Sequence, residues 1–192
     1  MGKVLRLGVL LLLVSCGGNY SAPRNLENAC DILDERPKYH DAMVRTEQRW
    51  GIPIHVQMAT IYQESKFIGN ARTPRRFALG IIPMGRQSSA YGYSQALDGT
   101  WDDYRDATGQ RGARRNQIDD ATDFMGWYMD GTERKLGISK WDAENQYLAY
   151  HEGRTGYQRG SHQEKAWLLR VAAEVGQRAK LYQNQLAACG KL

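Results

Sequence analysis

A segment that is apolar around most of its circumference has few places to go in a folded chain. In the run 54–67 (IHVQMATIYQESKF), Ile54, Val56, Met58, Ala59, Ile61 and Tyr62 cover most of a helical wheel. The spacing predicts a helix in the middle of a core, not an amphipathic surface helix. Glu64 stands at the end of that run and would emerge from a desolvated environment. Desolvation disfavours the charged carboxylate and raises its pKa, so a proton stays available for donation near neutral pH. A single helical Glu is more often a solvated or ion-paired structural residue. Its neighbours in the chain have to decide between the two.

Other helices have legible ends. One is expected from Pro37 to Trp50, with Gly51 as its stop and Pro53 in the first turn of the next. Residues 69–88 read as irregular, broken by Pro74, Pro83, Gly69, Gly80 and Gly85. After Gly92, residues 94–108 place Ala96, Leu97, Trp101 and Tyr104 at helical spacing. Asn116 offers a cap to a long helix ending at Gly137, and the run from Ser139 to Asp142 caps a helix over 143–151. Ser161 and Glu164 have capping-box spacing before a C-terminal helix. No convincing alternating strand is found. The fold class is therefore mainly α, and the length left after a leader suits one domain with its own core.

Three short islands lie in order along this framework: Gln63-Glu64-Ser65-Lys66-Phe67, then Ala90-Tyr91-Gly92-Tyr93-Ser94-Gln95, then Ala149-Tyr150-His151-Glu152-Gly153. Together they resemble the signature motifs of the soluble lytic transglycosylase family, whose fold is goose-lysozyme-like. That family's patterns read Glu-Ser, Gly-Leu-Met-Gln and Ala-Tyr-Asn-Ala-Gly. The resemblance spans about residues 50–160. It departs from the pattern at Tyr93-Ser94, where Leu-Met is usual, and at His151-Glu152, where Asn-Ala is usual. The segment 68–88 is also longer than usual.

The resemblance implies a single lysozyme-like domain over residues 37–192 that cleaves the β-1,4 bond between N-acetylmuramic acid and N-acetylglucosamine in peptidoglycan strands. Glu64 would protonate the glycosidic oxygen and then, ionised, take the proton of the muramic C6 hydroxyl. Intramolecular attack gives a 1,6-anhydro product, so one carboxyl suffices where most glycosidases need two. Ser65, Gln95, Tyr93 and His151 would contact substrate, and Tyr150 would hydrogen-bond close to Glu64. Three of these have a plainer reading: a helix-end hydroxyl for Ser65, a polar N-terminal helix residue for Gln95, a core ring for Tyr150. Two other functions stay open. One is a non-enzymatic peptidoglycan-binding lipoprotein. The other is a lysozyme-type hydrolase with Glu152 or Asp98 as its second carboxylate. The extra segment 68–88 is expected at the edge of the cleft.

The chain's first residues bear on its location. Lys3 and Arg6 precede the apolar run Leu7–Val14, and Ser15-Cys16-Gly17 follows, the order of a secretory signal peptide over 1–15. The apolar run is too short to span a bilayer as a helix. Leu13-Val14-Ser15-Cys16 looks like a bacterial lipobox with Cys16 as the lipidated residue, and the alternative is an ordinary signal peptide. Gly17 in place of Asp suggests the outer membrane, with the domain facing the periplasm. Residues 17–28, polar with Ser, Pro and Asn, have the composition of a tether between lipid and domain, and residues 16–36 as a whole read as a lipidated tether and N-terminal segment.

Cys30 and Cys189 remain for an oxidising compartment. A bridge between them would close a long loop and stabilise by on the order of 5 kcal/mol in the chain-entropy model. The alternative is two buried free thiols. Cys189 continues the stripe Leu168, Val171, Val175, Ala179, Tyr182 and Leu186, which points it inward. No Cys lies at metal-ligand spacing from another Cys or from a His, so neither a metal site nor any other cofactor is expected. The net charge of +5 falls to +3 once Lys3 and Arg6 leave with the signal. Basic and aromatic residues do not interleave as a nucleic-acid groove requires, and no nucleic-acid partner is expected. Several of the five Trp and eleven Tyr remain as candidates for stacking on sugar rings.

Overall fold

The computed structural model describes residues 20–192; Cys16 and the signal segment lie outside the described residues. Seven helices and one hairpin follow in order. They are α1 (Ala29–Glu35), α2 (Pro37–Trp50), α3 (Ile54–Ser65), β1 (Arg75–Ala78), β2 (Ile82–Arg86), α4 (Asp98–Thr108), α5 (Ile118–Leu136), α6 (Ala143–Gln158) and α7 (Ala166–Ala188). The architecture is a single mainly α, lysozyme-like domain. No described helix is long and apolar enough to cross a membrane.

The apolar run becomes the centre. α3 is in contact with α2, α5, α6 and α7, and Ile54, Val56, Met58, Ala59 and Ile61 are buried along its length. Its one fully buried amide, Gln57, donates through its nitrogen to the carbonyls of Met43 (3.0 Å) and Ile52 (2.8 Å), so both amide protons are satisfied where they are desolvated, while its carbonyl oxygen has no partner among the described residues. Around it α2 packs on α5, and α6 packs on α7. Asp123 joins three helices: it accepts from the Trp50 indole (2.7 Å), from Arg49 (3.1 Å) and from the Tyr104 hydroxyl (2.7 Å).

Several local expectations are corrected. Residues 20–36 are not a free tether. Pro23, Ala29, Ile32 and Leu33 are buried, and α1 packs on α2 and α7. The side chain of Asn28 caps α1. A disulfide joins Cys30 to Cys189 and fixes α1 to the end of α7. Cys189 itself is exposed, because α7 ends at Ala188 and the helical stripe no longer applies to the next residue. The segment 68–88 is not wholly irregular, since β1 and β2 pair antiparallel, with Ala78 opposite Ile82. α4 begins at Asp98; the residues before it, including Ser94 and Gln95, form turns. Gln117, not Asn116, occupies the cap position of α5. Ser161 does not cap α7, whose cap position is Lys165; its hydroxyl is bound to Glu152 instead.

Candidate active site

Each of the three sequence islands contains or adjoins an unusual backbone conformation. α3 stops at Ser65 because Lys66 (φ 51°) and Phe67 (φ 61°) both turn left-handed. Two non-glycine residues in that region are costly, and the Phe67 ring helps hold them: it is fully buried and stacks on Tyr39 with ring centroids 6.0 Å apart. In the second island Gly92 has φ 80°, and a Cβ there would lie 2.0 Å from the Arg115 carbonyl oxygen. Only glycine fits. Its amide donates to the Ala71 carbonyl (3.0 Å), and the next amide, of Tyr93, donates to that of Arg115 (3.2 Å). In the third island Gly153 (φ 72°, ψ 150°) occupies a conformation almost exclusive to glycine and kinks α6.

These turns bring Glu64, Gln95, Tyr150 and His151 to one cavity of about 460 Å³. Thr73, Phe124, Tyr128 and Glu152 are among the other residues of its walls. Phe124, Tyr128 and Tyr150 form one aromatic wall, with Tyr150 edge-on to Tyr128 at 5.1 Å. The Tyr150 hydroxyl donates to the Ser94 carbonyl at 2.6 Å, which ties the third island to the second.

Glu64 is half-buried on the cavity wall. Burial pushes its pKa up to about 7, against a smaller opposing effect from a hydrogen bond with Tyr147. Tyr147 lies one helical turn before Tyr150 and is itself buried. Its hydroxyl, not that of Tyr150, is the one bound to the carboxyl. Sequence reasoning passed over Tyr147; its spacing from Tyr150, which places both on one face of α6, was the available signal.

Gln95 has φ 47°, and its amide nitrogen donates to the carbonyls of Ala71 (3.1 Å) and Gly92 (2.8 Å). Both amide protons are thereby used, and the carbonyl oxygen is what it has left for a ligand. His151 is exposed, bonds Glu152 (3.1 Å) and meets the Trp167 ring edge-on at 5.3 Å. Ser65 and Tyr93 sit behind the cavity. The Ser65 hydroxyl reaches the Tyr93 carbonyl at 2.8 Å, and the buried Tyr93 ring pairs its hydroxyl with that of Tyr39 at 3.0 Å. Direct substrate contact by either side chain does not fit this placement.

The second carboxylate on the cavity wall is Glu152. Burial alone would raise its pKa. Hydrogen bonds from Lys165 (2.7 and 2.8 Å), Ser161 and His151 outweigh that and hold it at about 2. It is a fixed anion whose oxygens are both engaged. Asp98 lies outside the cavity wall and pairs with Arg115 at 2.6 Å. The cavity therefore contains one carboxyl able to carry a proton near neutral pH and one that is not.

A family model described as Transglycosylase SLT domain matches residues 4–189. No curated protein matches the chain.

Proposed function

The chain belongs to the transglycosylase SLT domain family, and on that premise we propose that it is a peptidoglycan lytic transglycosylase with Glu64 as its acid and base. The observation that carries the reading is the contrast between the two carboxyls of one cavity. Glu64 keeps its proton up to about pH 7, while Glu152 is held ionised by Lys165.

A proton passes from Glu64 to the glycosidic oxygen between N-acetylmuramic acid and N-acetylglucosamine, and positive charge develops at the muramic anomeric carbon. The bond to the leaving sugar breaks. The Glu64 carboxylate, steadied by the Tyr147 hydroxyl, accepts the proton of the C6 hydroxyl of the same muramic residue as that oxygen closes on the anomeric carbon. The product is a 1,6-anhydro sugar and Glu64 regains its proton. No water enters the bond-forming step. A hydrolase would need a second carboxylate free to act as base or nucleophile, and the lysine-bound state of Glu152 argues against that role. Gln95 offers its carbonyl oxygen to a sugar N–H or O–H, and the rings of Tyr128 and Tyr150 offer apolar faces to a pyranose. The lipobox-like sequence before Cys16 supports a lipid-anchored protein at the outer membrane, facing the periplasm.

Mass analysis of a peptidoglycan digest tests the proposal. Anhydro-muropeptides, lighter by one water than the reducing-end products, are expected. Reducing-end products would make the protein a hydrolase, and an undigested polymer that retains bound protein would make it a binder.

A further inference from the structure

β1 and β2 form a hairpin that no other element covers. Every residue in the two strands is exposed except Ala78. Between Arg76 and Arg86 the chain reads Phe-Ala-Leu-Gly-Ile-Ile-Pro-Met-Gly, without a charged or hydrogen-bonding side chain. Leu79 is 90% exposed, Ile81 79%, Met84 65%, Phe77 54% and Ile82 50%. So much contiguous apolar surface on a small projection marks an interaction site. The tip is also conformationally costly. The amide of Ile81 closes a tight turn onto the Ala78 carbonyl (3.2 Å), with Leu79 (φ 52°) left-handed beside Gly80 (φ 75°).

The base of the hairpin has the opposite character. Arg75 stands directly opposite Arg86 in the strand register, and Arg76 follows Arg75. Like charges opposite each other destabilise a strand pair. Among the described residues no carboxylate pairs with any of the three arginines. An anion brought to this base would relieve the repulsion.

From these observations we propose that the hairpin inserts its tip into the surface of an anionic phospholipid bilayer, with Arg75, Arg76 and Arg86 on the headgroup phosphates. The polarity sequence is that of a bilayer interface: apolar residues outermost, guanidinium groups one strand-length behind. Side chains alternate between the two faces of a strand, so the apolar residues point to both. A protein groove covers one face, whereas acyl chains surround both. A glycan is a poorer match, because sugars stack on flat rings and need hydrogen bonds, and the tip offers one ring and four aliphatic chains. The distance from Arg75 to the turn, roughly 13 Å for four extended residues, is enough to reach the headgroup–acyl boundary about 5–10 Å deep.

The chain's own path agrees. The Tyr20 carbonyl accepts from the Gly69 amide (3.0 Å), which places the first described residue beside the stretch that leads into β1. Four residues of chain reach at most about 14 Å. A lipid on Cys16 and the hairpin tip would thus address one membrane, and one acyl chain commonly needs a second signal of this kind. Thr73, at the hairpin's base, also lines the Glu64 cavity, so membrane contact would set where the cleft stands relative to the bilayer.

The test uses the chain from Gly17 onward, which keeps every described residue and removes both the signal and the lipid site. It is sedimented with vesicles of phosphatidylcholine containing phosphatidylglycerol, and with phosphatidylcholine alone. Binding to the anionic vesicles is expected, with little to the neutral ones. Leu79→Asp with Ile81→Asp should weaken it by at least about tenfold, with far-UV circular dichroism unchanged, since both side chains are exposed and Asp tolerates the left-handed turn. Arg75→Gln with Arg86→Gln should remove the preference for anionic lipid. The proposal fails if the parent chain does not bind anionic vesicles, if the double Asp variant binds as the parent does, or if neutral and anionic vesicles bind equally. It also fails if the hairpin is needed for binding cell-wall glycan and not vesicles. None of these outcomes depends on whether the cavity is a transglycosylase site.

Discussion

A carboxyl held protonated to about pH 7 costs the protein stability once it ionises, and Glu64→Gln should reveal how much. Its ordinary value is 4.5, raised to about 7 in the fold by burial. The folded state therefore binds this proton more tightly than the unfolded chain does. Below pH 4.5 both states are protonated and the site carries no penalty; between 4.5 and 7 the penalty grows, and above 7 it is fully present. At about 1.4 kcal/mol per pH unit the ceiling is about 3 kcal/mol. Glu64 is only half-buried and its cavity admits solvent, so about 1–2 kcal/mol is the expected gain on removing the charge. Gln keeps the shape and can still accept from Tyr147. In a domain of this size each kcal/mol moves the melting temperature by about 2–4 °C, which gives roughly 2–8 °C in favour of Glu64→Gln near pH 8 and almost nothing near pH 4. Calorimetric melts of the two proteins across that range supply the measurement, and contributions from all other groups cancel in the difference. A gain that is the same at both pH values, or a loss near pH 8, would refute the claim that the Glu64 carboxyl is desolvated in the fold.

The same substitution should abolish turnover of peptidoglycan while leaving binding of the polymer in a pull-down intact; surviving turnover would remove Glu64 from the chemistry. Glu152→Gln should behave in the opposite way, keeping the anhydro product but destabilising at neutral pH by about 1–3 kcal/mol. Because the Glu152 pKa is depressed to about 2, that stabilisation is complete above pH 4.5 and fades as pH falls toward 2, so urea melts of parent and variant should converge in acid. Gly92→Ala should cost about 2 kcal/mol or more, since its Cβ would strike the Arg115 carbonyl at a left-handed φ, and thermal melts report it directly. Cys30→Ser with Cys189→Ser should cost about 2–5 kcal/mol and little activity, as the bridge joins α1 to the end of α7 away from the cavity.

How much of this could be read from the sequence follows from where local chemistry decides structure and where tertiary contacts do. The bounds of α2 were legible because Pro37 opens it and Gly51 closes it in the left-handed conformation that glycine favours. The central position of α3 was legible because no amphipathic placement could bury residues on every side of it. Cysteine pairing was legible from arithmetic, although the stripe argument for Cys189 failed one residue beyond the helix end. The hairpin was hidden for a physical reason. Its strands do not alternate in polarity, because neither face packs on the protein, and its turn is Leu79-Gly80, not an Asn-Gly or Asp-Gly pair. Ser161 and Glu164 have the spacing of a capping box, but Glu152 and Lys165 claim that corner of the fold, and a buried charge outbids a helix-end hydrogen bond.

The site itself divides along the same line. Glu64, Gln95, Tyr150 and His151 could be named from the order of three motifs, and all four reach one cavity. What the motifs could not reveal is which side chains face the cavity and which hold the backbone that does. Ser65 and Tyr93 belong to the second kind: the Ser65 hydroxyl on the Tyr93 carbonyl fastens the end of α3 to the turn after Gly92. That fastening sits against three non-glycine residues in left-handed conformations, Lys66, Phe67 and Gln95. Strain of this kind persists only where surrounding contacts over-determine it. The buried Phe67 ring, the Gln95 amide on two carbonyls and the Tyr150 hydroxyl on the Ser94 carbonyl are those contacts. Motif residues that lie behind the cavity thus hold Glu64, the Gln95 amide and the aromatic wall in one fixed geometry.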